Sequence, residues 1–166
     1  STPDQLFLRI HCQKHKLEKY KDFYYETNKI WKYKMSHKKI NPKGWKPARG
    51  YANAILSEGL TLNIAGQIGW NENQEFISKD FLGQMEQTLK NISVIVNEAG
   101  GKITDLTRLT WYVTDKAEYV SNQKKVGEVY RKILGNHFPA MTMVVVSALV
   151  EDEALIEIEA TAIIAN

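Results

Sequence analysis

Few side chains in this sequence stand at a spacing that does chemistry unaided. His11 and His15 are four apart, which would set two imidazoles on one helix face. A zinc site needs a third ligand, and none is in reach, so they read as ordinary surface histidines and no metal is assigned. Ser57, Ser93 and Ser147 lie in no strand–turn–helix nucleophile motif. A glycine-rich phosphate loop, a dinucleotide fingerprint and a His-Glu-x-x-His helix are all missing. Two residues carry more. Glu157 stands in Ile156-Glu157-Ile158-Glu159-Ala160, out of phase with the isoleucines, so it faces away from the side that packs the core. A carboxylate partly desolvated there can be tuned towards general acid or base work, or can serve only as the polar face of a strand. Tyr51, after Arg49-Gly50, offers a phenol on an apolar body, for a pocket wall or for packing at a sheet edge.

The elements that must position these groups follow from periodicity. Ala52–Leu56 reads as a short strand, Ser57-Glu58-Gly59 as a tight turn, and Leu60–Ile68 as its partner, with Leu60, Leu62 and Ile64 alternating against Thr61 and Asn63. Ser78 or Asp80 caps a helix whose apolar residues Phe81, Leu82, Met85, Leu89, Ile92 and Val96 recur at three and four, ended by Gly100-Gly101. Leu106–Thr114 is a strand. Asp115 caps one second helix with Tyr119, Val126, Tyr130 and Ile133 along a side, closed by Gly135. Met141–Leu149 is a buried strand and Leu155–Ile164 an alternating one. The order β-β-α-β-α-β-β predicts an α+β sheet whose two helices pack on one face.

Length and charge bound what this domain does. The chain has 166 residues, 43% of them hydrophobic and 25% charged, enough for one domain with a full core. Cys12 is its one cysteine, which excludes an internal disulfide and suits a reducing compartment. No apolar run is long enough for a membrane span, and the first thirty residues carry charges throughout, leaving no secretory apolar region; a cytoplasmic protein is expected. Residues 1–50 hold 13 basic and four acidic side chains, the rest nine and 15. Lys19, Lys21 and Lys29 are interleaved with Glu18, Asp22 and Glu26, so this basic segment reads as a solvated extension, and nucleic acid is not the expected partner. Leu17, Tyr20, Tyr24 and Trp31 share one face of a weak helical pattern. Composition changes at Asn41-Pro42-Lys43-Gly44-Trp45-Lys46-Pro47, which divides a basic extension or leader, 1–40, from a domain over 41–166.

A string of short segments takes the reading further. Gly50-Tyr51-Ala52-Asn53-Ala54-Ile55, Ala65-Gly66-Gln67-Ile68, Gln84 through Asn91-Ile92, Val113-Thr114-Asp115, Val129-Tyr130, Phe138-Pro139-Ala140 and Ile156-Glu157-Ile158-Glu159-Ala160 occur in order and at suitable spacing. Together they resemble the Rid family of enamine and imine deaminases (RidA/YjgF type) over residues 41–164. Asn41-Pro42-x-Gly44-Trp45 and Trp111-Tyr112-Val113-Thr114-Asp115 are similar to a side branch of it.

The resemblance implies a chorismate-mutase-like fold, a mixed six-stranded sheet with two helices on one face, assembled as a homotrimer with small-molecule clefts between subunits. The sixth strand is expected near Phe7–Ile10, around Trp45 or among residues 70–77. The apolar surplus of Met141–Leu149 and Leu155–Ile164 would be buried by association. The implied activity is cofactor-free hydrolysis of a reactive imine or enamine. In that reading Glu157 orients water, Tyr51 lines the cleft, and Gly66, Gln67, Met141 and Met143 bind substrate. Where active members carry an arginine after Pro-Ala to grip the substrate carboxylate, this chain has Met141, and a thioether makes neither bond of that bidentate pair. Met143 stands where a small residue is frequent, and Gly127 where an asparagine is common. Standard 2-imino acid deamination is therefore not expected. The alternatives are a non-catalytic trimer that binds a metabolite and, lower in rank, a ribonuclease or translation inhibitor acting on single-stranded RNA. Among the residues, Arg49 and Arg108 are the cations that could replace the missing arginine. A ligand-sized cleft between subunits, lined by Tyr51, Met141, Met143 and Glu157, is the sharpest structural expectation.

Overall fold

The computed structural model describes residues 37–164. Six strands and three helices alternate through them: β1 (Lys38–Ile40), β2 (Ala54–Leu56), β3 (Leu60–Ile68), α1 (Phe81–Glu98), a 3-10 turn at Ile103–Asp105, β4 (Leu106–Val113), α2 (Lys116–Ser121), α3 (Gln123–Leu134), β5 (Ala140–Val145) and β6 (Ile156–Ile164). The α+β architecture with a mixed sheet is as expected. Hydrogen bonding divides the six strands between two ladders, an antiparallel β1–β2 pair and a four-stranded sheet of order β3-β6-β4-β5. β4 and β5 run parallel, and the other pairs of the larger sheet are antiparallel.

The sixth strand forms at Lys38–Ile40, pairing with Ala54–Leu56. Trp45 lies in an exposed turn, and residues 70–77 give one isolated bridge, Trp70 to Phe76. The expected strand at Phe7–Ile10, the helical pattern from Leu17 to Trp31 and the histidine pair His11 and His15 lie outside the described residues.

The first helix forms as its apolar spacing requires. Asp80 takes extended backbone and its Oδ1 accepts the Gly83 N–H at 2.9 Å, while the Ser78 hydroxyl donates to Oδ2 at 2.8 Å. The Gly83 N–H and the Ser78 hydroxyl hold the Asp80 carboxyl below its ordinary range. Phe81, Met85, Leu89, Ile92 and Val96 make one fully buried stripe. Gly100, at φ +78°, turns the chain off the helix by a conformation costly to any residue with a Cβ.

The second helix expected after Asp115 is two helices. Asp115 caps α2 through bonds from the Ala117 and Glu118 N–H groups. Asn122 then leaves helical geometry, its side-chain Nδ2 donating to the Glu118 carbonyl at 2.9 Å. That local bond competes with the helical ladder. β5 is also shorter than the apolar run suggested. It ends at Val145, and the Val146 N–H donates to the Val113 carbonyl. Val144, Val145 and Val150 are exposed.

α1 and α3 cover one face of the four-stranded sheet. The core between them holds Leu106, Leu109, Trp111, Val113, Ile156, Ile158, Ala160 and Ala162 from the sheet, with Val126, Tyr130 and Leu134 from α3. Side chains two apart share a face, so Glu157, Glu159 and Thr161 of β6 and Arg108, Thr110 and Tyr112 of β4 lie together on the opposite face.

Candidate active site

A cavity of about 440 Å³ lies at the β5 edge of the sheet, under α2 and α3. Its floor is Trp111, Met141 and Met143, because parallel pairing sets Met141 beside Leu109 and Met143 beside Trp111, on the helix side of the sheet. Tyr119, Val126, Gly127, Tyr130 and Arg131 supply the helical wall, and Arg49, Gly50 and Tyr51 close one side. The Arg49–Tyr51 segment is fixed by the next residue: the Ala52 N–H donates to the Pro139 carbonyl at 2.9 Å, directly before β5. Aromatic rings dominate the interior. Trp111, Tyr130 and Phe138 form a stacked series, with centroids 6.3 and 5.2 Å apart. Tyr130 donates its hydroxyl to the His137 carbonyl at 2.8 Å, and burial holds the phenol far above its ordinary pKa, so it stays protonated at neutral pH. None of the described residues lining this cavity is acidic or a histidine.

The six residues singled out from sequence fall in three places within one chain. Tyr51, Met141 and Met143 line the cavity. Glu157 lies on the opposite face of the sheet, opposite Tyr112, with its carboxylate packed over Gly66, where any side chain would collide with it. Gln67 lines a wider hollow beside α1 with Trp70, Gln87 and Asn91, and its Nε2 bonds to the Ala65 and Gly66 carbonyls. The single cleft shared by Met141 and Glu157 is thus not formed inside one chain. The reason is topological. β5 and β6 are not neighbours, since β4 lies between them. Parity does the rest: register puts Met141 and Met143 with the core face and Glu157 with the other.

Of the two candidate cations, Arg49 lines the cavity and Arg108 lies across the sheet with Glu159 and Thr110. Arg131, which sequence reasoning missed, also lines the cavity. Its signal was Gly127, one helical turn earlier, an uneconomical residue for the middle of a helix.

Two further groups bear on the site. Gln84, fully buried in α1, donates to the Glu153 carbonyl and accepts the Leu155 N–H, both at 2.8 Å, which fixes the chain just before β6. Asn91 does the same at the end of β3, donating to the Ile68 and Trp70 carbonyls. Outside the cavity lining, His37 Nδ1 is 2.8 Å from the Ser57 hydroxyl and its Nε2 is 3.5 Å from Asp105. The order mimics a hydrolytic triad, yet these residues line none of the cavities described, and Asp105 already accepts the Lys102 N–H. They tie the β1–β2 ladder to the turn before β4. Among the described residues, no three metal-ligating side chains gather at one point.

Comparison with known proteins adds to this geometry. The sequence matches the Endoribonuclease L-PSP family over residues 41–164. It is 38% identical to a RutC family protein of Pyrococcus horikoshii across 70% of this chain and 89% of that one. It is 32% identical to the human 2-iminobutanoate/2-iminopropanoate deaminase, covering 68% of this chain and 79% of the human protein. The fold is similar to that of the Rid-family protein YyfB of Yersinia pestis, with a TM-score of 0.71 at 34% identity over 78% of this chain and all of that one.

Proposed function

Since the chain belongs to the Endoribonuclease L-PSP, or Rid, family, we propose that it is a small-molecule hydrolase acting on a reactive imine or enamine, for which short 2-imino acids are poor substrates. The observation that carries this reading is Met141 on the floor of an aromatic cavity of ligand size. A thioether there offers apolar contact and no charge, so a short acid finds no bidentate partner at that point. An imine carbon is already electrophilic and asks of the protein only a held substrate and an oriented water. Tyr51 lines the cavity, and Glu157 is the carboxylate assigned to the water.

The separation of these two residues within one chain makes association part of the proposal. In a homotrimer the Glu157 face of one copy would meet the cavity edge of the next, which places the substrate between subunits. Exposed Leu60, Val144 and Val145 at the sheet's two edge strands support such burial.

The test generates 2-iminopropionate and 2-iminobutyrate in situ from alanine and 2-aminobutyrate with an amino-acid oxidase and follows keto-acid release. Release little above the uncatalysed rate is expected. Turnover equal to that of an arginine-bearing relative would overturn the reading. A second reading, a trimer that binds a metabolite without turning it over, is favoured by the lack of any acid or histidine among the described residues of the cavity lining. Glu157→Gln separates the two, because only a hydrolase loses turnover of its imine substrates on that change.

A further inference from the structure

The geometry points to Arg49 and Arg131 as a relocated anion receptor, which makes the cavity a site for an aromatic or similarly extended monocarboxylate. The inference rests on the reading that this cavity is the small-molecule site and names what that site selects. Both arginines line the cavity, no lining residue is acidic, and among the described residues neither arginine takes part in a salt bridge. Among the described residues, two cations therefore face an aromatic chamber without a counter-charge.

Gly127 supports the assignment independently. It sits in the middle of α3, where glycine is unfavourable. Its φ is ordinary for a helix, so backbone strain does not explain it. Space does. A Cβ at position 127 would lie 3.2 Å from Arg131 Nη1 and 3.5 Å from Nη2. The guanidinium is thus folded back over the preceding turn, against the cavity, instead of extending from the helix C-terminus to complement its dipole.

The ligand class follows from how these groups are distributed. Arg49 and Arg131 are solvent-exposed and stand at the rim, while Trp111, Tyr130 and Phe138 are within. A two- or three-carbon acid that reached the rim cations would leave the ring-lined interior empty. An acid carrying a ring or conjugated chain fills that interior and presents its carboxylate at the mouth, where planar guanidinium groups make charge-assisted paired bonds.

Isothermal titration of the whole chain with 3-phenylpropionate, and with 3-phenylpropionamide as its neutral counterpart, tests the inference. The acid should bind at least about tenfold more tightly than the amide, as expected for a hydrogen bond to a charged group, and the preference should shrink with added salt. Arg131→Gln and Arg49→Gln should each remove most of the preference, bringing the affinity for the acid down towards that for the amide. Gly127→Ala should raise the thermal midpoint, because alanine is the better helix former, and should weaken acid binding by displacing the guanidinium. A glycine with a merely structural role would move the midpoint alone. Equal affinity for acid and amide in the unmodified chain would overturn the anion receptor and leave the small-molecule site standing. If neither probe binds, or if Val126→Phe and Met143→Trp, which fill the cavity, bind both as before, the site itself is wrong.

Discussion

At the scale of single residues, the position after Pro139-Ala140 has the clearest consequence. Met141→Arg should raise keto-acid release from 2-iminobutyrate by about tenfold to a hundredfold, the worth of one charge-assisted carboxylate bond. No gain in a variant that keeps its fold would mean that this cavity is not where the imine binds. His137 offers a second test. Burial depresses its pKa below the usual 6.5, and Lys39 and His37 nearby add repulsion that Asp105 and the Leu106 carbonyl only partly offset. The unfolded chain therefore takes up a proton at a higher pH than the folded one, so stability falls as pH drops below about 6.5. Thermal midpoints at pH 7.5 and pH 5 should differ, and His137→Gln should narrow the difference; an unchanged difference would place the acid sensitivity elsewhere. Much at this scale was legible. Tyr51, Met141 and Met143 were grouped from sequence, and the structure brings those three together. That Glu157 lies across the sheet from them within one chain was not legible, because alternation gives parity along one strand but not which strands are neighbours. Arg131 was invisible, since the reach of a guanidinium across a glycine is a three-dimensional fact.

At the scale of elements, several residues that carried the family resemblance prove to be fasteners. Gln84 satisfies two backbone groups of the loop ahead of β6, and Asn91 two carbonyls after β3. Gln84→Leu would leave those groups buried and unpaired, so it should cost about 2–3 kcal/mol in urea unfolding. A loss below about 0.5 kcal/mol would show that water substitutes for the amide. The capped helix α1 and strands β3, β4 and β6 were readable because their periods of 3.6 and two are strict. The break at Asn122 was not, because the apolar stripe of Tyr119, Val126 and Tyr130 runs through it and only a side-chain bond to the Glu118 carbonyl marks the stop. Likewise, β1 escaped notice: three residues, Lys38–Ile40, give no period to detect.

At the scale of the whole molecule, β3 and β5 are the edge strands of the four-stranded sheet among the described residues, and with the exposed valines of β5 they predict self-association. Light scattering in size-exclusion chromatography should report three copies, and Val144→Lys on β5 should shift the population towards single chains with unchanged far-ultraviolet circular dichroism. A monomeric unmodified chain would remove the intersubunit site.

The parallel pairing of β4 with β5 has one more outcome. Parallel neighbours cannot be joined by a tight turn, so the chain must travel back over the sheet between them. Here that return journey is α2 and α3, the same two helices that roof the cavity, while β4 and β5 are its floor. Roof and floor are therefore one continuous stretch of polypeptide, and the chamber is complete only when the last strand of that stretch has docked. Transient undocking of β5 and α3 would open the chamber while α1 stays packed on β3 and β6. Amide hydrogen exchange should register this as a difference between neighbouring helices. A bound acid should slow exchange in α3 and β5 and leave the interior of α1 at its unliganded rate.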